Sequence, residues 1–196
     1  MNILHYTLGF PPYRSGGLTK YALDLMLSQI ELGHHVFSLY PGDISFLRRK
    51  AFIEKDKDIQ GIKVFELKNP LPVPLLYGET DSKAFTNGEI LDSENFKKFL
   101  NVIKPDIFHI HTLMGLPYSI LEIAHEKGIK IVYTTHDYFG LCPKVNFIDN
   151  EGNLCNKASE KKCLLCNQNA PSVFYLRIRN SKIIVLIKKI ISFLNK

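Results

Sequence analysis

The sequence predicts an α/β fold: a parallel sheet covered by helices on both faces. Short apolar or β-branched runs alternate with stretches of helical periodicity along the first 135 residues, and glycine or proline marks almost every change of period. Histidines cluster at the ends of later strands, the edge where open α/β sheets collect their ligands.

The first strand is Ile3 to Leu8, closed by Gly9-Phe10-Pro11-Pro12. After Gly16-Gly17, Leu18, Tyr21, Ala22, Leu25 and Ile30 recur mostly at three- and four-residue steps, so a helix runs from Leu18 to Leu32 with Gly33 as its stop. His35 to Tyr40 and Ile62 to Leu67 read as strands, the first ended by Pro41-Gly42 and the second bounded by Gly61 and Asn69-Pro70. From Lys68 to Gly88 the chain holds three of its ten prolines, which predicts an irregular loop. A helix then begins at Ser93-Glu94-Asn95-Phe96, uses Phe96, Phe99, Leu100 and Ile103 as its apolar face, and stops at Pro105. Asp106 to Ile110 and Lys130 to Thr134 are compact strands on either side of a helical stretch from Pro117 to Lys127, which Gly128 caps. Past His136-Asp137 periodicity is lost for about thirty residues, and from Pro171 onwards a basic amphipathic helix is expected. The expected organisation is a core at 1–135, a cysteine-containing insertion of the same domain at 136–170 and a C-terminal helix at 171–196.

With 196 residues, 45% of them hydrophobic, the chain has material for one domain and an appendage. Its net charge of +6 favours anionic partners, whether phosphate-bearing ligands or an acidic membrane surface. Nucleic acid is not expected, because the basic residues come with no aromatic stacking platform and no recognisable nucleic-acid motif. The N-terminus lacks the pattern of a secretory signal, and Lys188-Lys189 divide the most apolar segment, so neither export nor a membrane span is expected. The expected location is the cytoplasm, with peripheral attachment at the inner face of the membrane as an option.

Three positions carry candidate chemistry. The loop from Gly9 to Gly17 opens the first helix, where free N–H groups and the helix dipole favour an anion, although a tight turn requiring small residues explains it equally well. His109 and His111 share one face of their strand, and His136 ends the next. Near neutral pH each is able to exchange a proton or donate to an oxyanion, against the plainer reading of a hydrogen-bonded packing residue. Cys142, Cys155, Cys163 and Cys166 are spaced C-x12-C-x7-C-x2-C, matching the ligand number of a structural zinc site. Free thiols, a redox pair at Cys163-Cys166 and an iron–sulfur site are the alternatives. On the terminal helix an apolar stripe of Phe174, Ile178, Ile184, Ile187, Ile191 and Leu194 opposes Arg177, Arg179, Lys182, Lys188, Lys189 and Lys196, which suits packing on a domain or lying on an anionic membrane.

Taken in order, the Gly-Gly loop, the Asp-Ile-Phe-His-Ile-His strand end and the Thr-Thr-His-Asp-Tyr strand end resemble the N-terminal, acceptor-side domain of glycosyltransferase family 4, over residues 1 to 180. The resemblance implies a Rossmann-like half of a GT-B enzyme that transfers a sugar from a nucleotide-sugar donor, with retention, to a glycan or lipid-linked acceptor in surface polysaccharide or glycolipid assembly. It places Gly16 and Gly17 near the donor phosphates and His111, His136 and Asp137 at the reacting centre. It places Tyr13, Arg14, His109 and Tyr138 near the acceptor. No catalytic metal is expected. The donor-binding second domain of such enzymes is expected to be absent from this chain, which makes a second donor-binding domain or subunit an expected requirement for activity. A non-catalytic acceptor-binding or regulatory module, pairing with a complete transferase, is the alternative.

Overall fold

A computed structural model describes residues 1–45, 47–79 and 91–179. It contains a six-stranded sheet of order β3-β4-β2-β1-β5-β6. The strands are β1 (Asn2–Tyr6), β2 (His35–Pro41), β3 (Phe52–Lys55), β4 (Lys63–Lys68), β5 (Ile107–Ile110) and β6 (Lys130–Tyr133). All neighbours pair in parallel except β3, which lies antiparallel to β4 at one edge. This is the expected Rossmann-like architecture, with crossover helices α1 (Gly17–Glu31), α2 (Ser93–Ile103) and α3 (Tyr118–Glu126).

The two faces of the sheet are filled differently. Leu4, Tyr6, Leu39, Phe108 and Ile110 point towards α2 and α3, where Phe96, Leu100, Ile103 and Ile120 complete the larger core. On the opposite face Val36, Ile62 and Val64 meet Ala22 and Met26 of α1. Residue alternation along each strand produces this division, because neighbouring side chains point to opposite sides.

Local chemistry fixes the helix ends. Asp92 caps α2 by accepting from the Asn95 N–H at 3.1 Å, worth about 1 kcal/mol. Asn95 also accepts from the Ile53 N–H at 2.6 Å, tying α2 to the edge strand. Lys104 ends α2 in the left-handed conformation just before Pro105. At β2's end, an added Cβ on Gly42 would stand 1.8 Å from the Glu66 side chain. Only glycine admits that buried carboxylate, which accepts from the Asp43 N–H at 2.5 Å and pairs with Lys68 at 3.0 Å.

Three local features depart from the expectation. β1 stops at Tyr6, since Thr7 turns the chain by accepting from the Gly9 N–H at 3.2 Å. β3 has no counterpart in the sequence reading: its four residues include two charges and show no clear alternation. It is a strand because β4 offers an open edge, and its charges suit an edge position. Within the supposedly aperiodic insertion, Glu160–Asn167 forms helix α4, capped by Ser159. The terminal helix begins as α5 (Val173–Arg179), and its expected continuation through residues 180–196 lies outside the described residues. Among its described residues the predicted loop after Lys68 contains one 3-10 turn, at Leu75–Tyr77, and its residues 80–88 also lie outside. Among the described residues no helix is long and apolar enough to cross a membrane.

Candidate active site: a histidine chain beside a glycine-rich helix start

β1 and β5 are neighbours in a register that sets His5 opposite His109. Alternation then puts His5, His109 and His111 on the α1 face of the sheet, while Leu4, Tyr6, Phe108 and Ile110 take the other. The His109 and His111 rings stack at 4.2 Å, and His111 lies over His5 at 5.3 Å. His136, at the end of the chain leaving β6, completes the group with its ring 5.6 Å from that of His111.

Hydrogen bonds order these rings into a chain. The Gln29 side-chain oxygen on α1 lies 2.7 Å from His5 Nε2, His5 Nδ1 lies 3.0 Å from His111 Nε2, and His111 Nδ1 lies 3.4 Å from His136 Nε2. A carbonyl oxygen only accepts, so His5 donates through Nε2 and its Nδ1 is the acceptor. His111 must then donate through Nε2 and accept at Nδ1, which makes His136 the donor through its own Nε2. Each ring is neutral in this scheme, and the lone pair of His136 falls on Nδ1. His109 stands beside the chain, its Nε2 at 2.8 Å from the Thr134 hydroxyl.

Burial supports the neutral forms. Desolvation, reinforced by His109, His5 and His136, pushes the His111 imidazole down to about 3. Desolvation likewise brings His5 to about 4, against the opposing hydrogen bond to Gln29. His109 and His136 are also lowered by desolvation, and for His136 the nearby Asp137 carboxylate acts in the opposite direction. Each shift follows from the cost of placing a cation where water is excluded.

Helix α1 starts directly above. Tyr21, in its second turn, sets its ring 4.9 Å from His136 and 5.9 Å from His111. Gly16, the residue before the helix, has φ 123°, a conformation that favours glycine. No side chain caps the helix start and no acidic residue lies in its first turn. An added Cβ on Gly16 or Gly17 would meet nothing within 4 Å among the described residues. Such a terminus attracts an anion through its N–H groups and dipole.

Beside it, a cleft of about 320 Å³ opens between the loop after β1, the end of β2 and the connection from β3 into the start of β4. Tyr13, Arg14, Phe10, Tyr40 and Arg179 are among its walls. Burial and the positive charge of Arg179 push Arg14 below the ordinary range of a guanidinium. Arg179 stacks on Tyr77 at 3.9 Å and donates to its hydroxyl at 2.5 Å, whereas its buried Nη1 has no hydrogen-bond partner among the described residues.

The structure therefore gathers His109, His111 and His136, and sets Tyr13 and Arg14 in the adjoining cleft. Tyr138 points elsewhere, packing edge-on against Phe147 in the insertion. Asp137 accepts from the Phe139 N–H at 2.9 Å and so shapes the turn after His136. His111 is only 1% exposed, with both ring nitrogens engaged by histidines. The sequence reading missed His5, Gln29, Tyr21 and Thr134. His5 looked like one polar residue in an apolar run, and only strand neighbourhood marks it out. Among the described residues His5, His109 and His111 have ligand atoms within 4.8 Å of one another, close enough to share a metal ion, and the four cysteines line a separate cavity.

Comparison with known proteins agrees with this architecture. Residues 15–151 match Glycosyltransferase Family 4. The chain is also 28% identical over 169 residues to a Klebsiella pneumoniae protein described as an uncharacterized 42.6 kDa protein in the cps region. That match covers 81% of this chain and 42% of the relative, so the chain spans less than half the relative's length. With a six-stranded Rossmann-like sheet, a glycine-rich helix start and a family match over most of its length, this chain belongs to glycosyltransferase family 4.

Proposed function

We propose that this chain is the acceptor-side half of a retaining glycosyltransferase that moves a sugar from a nucleotide-sugar donor to a glycan or lipid-linked acceptor. The carrying observation is a chain of neutral histidines that ends on His136, beneath Tyr21 and beside an uncapped helix start. In this reading the donor's diphosphate approaches Gly16 and Gly17, whose amides offset the charge that grows as the anomeric carbon–oxygen bond breaks. The attacking hydroxyl gives its proton to His136 Nδ1 as its oxygen bonds to the anomeric carbon, and the nucleoside diphosphate departs. Asp137 favours the cation formed on His136. His111, buried and held by His5, is a positioning residue that fixes the tautomer and direction of His136.

The acceptor lies in the cleft of Tyr13, Arg14 and Arg179. Two arginines close enough to repel one another favour an anionic acceptor, such as one linked through phosphate to a lipid. Retention at the anomeric carbon and a donor-binding half on a second domain or partner chain rest on family likeness. A role in surface polysaccharide assembly rests on the relative's cps region. The net charge of +6 is compatible with an anionic membrane surface as the place of work.

The test is transfer of radiolabelled sugar from a panel of nucleotide sugars into a membrane lipid extract, by this chain alone and with candidate donor-half chains. His136→Ala is expected to lower kcat by about 10²–10⁴-fold, and Arg14→Ala to raise the acceptor KM while largely sparing kcat. Full activity in His136→Ala would sink the proposed chemistry. Acceptor binding without transfer in any combination would favour a non-catalytic module.

A further inference from the structure

The insertion after β6 poses a stability problem that its apolar residues do not solve. Leu141, Leu154 and Leu164 are 69%, 69% and 64% exposed, and Val145 is the buried hydrophobic residue of the segment from Tyr138 to Gln168. A segment this small, without a core, needs a staple. Its backbone is nevertheless well defined. Ile148 bridges Leu154 to close a short hairpin, and Asp149 Oδ1 accepts from the Glu151 and Asn153 N–H groups inside it. The Cys155 N–H donates to the Phe147 oxygen at 2.7 Å, and the Cys142 N–H to the Tyr138 oxygen at 2.9 Å.

These turns and α4 bring all four cysteines to the wall of one cavity of about 20 Å³. Cys142 comes from the turn after Tyr138 and Cys155 from the end of the hairpin. Cys163 and Cys166 lie three residues apart on α4, hence on one face. Such a volume holds one water-sized particle or one ion. Lys162 lines the same cavity and lies 3.7 Å from Asp149.

We propose that Cys142, Cys155, Cys163 and Cys166 bind one structural zinc ion, which acts as the missing core of the insertion. Four thiolates complete a tetrahedral shell and leave no open position for catalysis. The effect extends beyond the insertion through Asn167, whose side chain donates to the Cys163 oxygen at 2.8 Å and accepts from the Glu79 N–H at 3.2 Å. Gly78 sits so close that an added Cβ would stand 2.0 Å from the Asn167 oxygen. At the other end Val145 packs with Val73 and Met114 at the carboxyl edge of the sheet. The metal thus fixes a cap whose first residues continue directly from His136 and Asp137.

The experiment uses the full chain, purified after expression with added zinc and independently of any transfer assay. Native mass spectrometry is expected to find one zinc per chain, and chelation to lower Tm by about 10 °C. All four thiols should resist alkylation with zinc bound and react after chelation. Cys163→Ser should lose the metal and the chelator response; if that variant does not fold, alkylation of the unaltered chain still decides. Four reactive thiols and no metal in zinc-supplemented protein would overturn the proposal, as would a mass deficit showing Cys163 and Cys166 joined as a disulfide.

Discussion

Within β1 and β5 alternate residues build two surfaces of opposite character. Leu4, Tyr6, Phe108 and Ile110 enter the large apolar core, whereas His5, His109 and His111 form a hydrogen-bonded polar patch under α1. Both surfaces are largely shielded from water, but different forces hold them. The apolar side gains from area removed from water and requires only complementary shape. On the polar side each imidazole must find a partner and remain uncharged, since an unpaired polar group in that position is costly. One side is therefore tolerant in chemistry and strict in volume, and the other is the reverse.

The largest expected effect comes from creating a cavity on the apolar side. Phe108→Ala should destabilise the fold by about 3–5 kcal/mol, read from the urea midpoint, while Phe108→Leu should cost much less. An equal loss in the two variants would mean that volume does not control this face.

The polar side should respond to acid instead. His5 and His111 titrate near 6.5 when unfolded but at about 4 and about 3 when folded. Between these limits the unfolded chain binds more protons, so stability is complete above about pH 6.5 and falls as pH drops towards 4. The His5 shift corresponds to about 3 kcal/mol at most. Urea unfolding at several pH values is the measurement, and His5→Phe should flatten part of the slope. An unchanged slope would show that His5 is protonated alike in both states.

The smallest effect is also the most specific. Gln29→Leu removes the oxygen that directs the histidine chain, for about 1 kcal/mol. Imidazole ¹⁵N spectra should show His5, His111 and His136 protonated at Nε2 in the unaltered chain and mixed tautomers in the variant. Identical spectra would remove Gln29 as the source of the order.

Much of this could be read along the chain. The alternating periods placed all three crossover helices and five of the six strands within a few residues of their observed positions. The same-face relation of His109 and His111 also followed, because strand alternation needs only local sequence. β3 did not, because Phe52–Lys55 becomes a strand only by pairing with β4. Nor did α4, whose exposed Leu164 and Leu165 give it no apolar stripe to detect.

By itself, then, the sequence determined the parallel α/β class, the glycine-rich start of α1 and the residue types at the strand ends. These are matters of period, backbone freedom and side-chain chemistry, all encoded within a few neighbouring residues. Only the tertiary structure decided that His5 stands beside His111, that Gln29 orients them, that Arg14 shares a cleft with Arg179, and that cysteines from two turns and from α4 line one cavity. Those relations join residues as much as about 165 positions apart, and strand order, register and helix docking set them rather than local propensity.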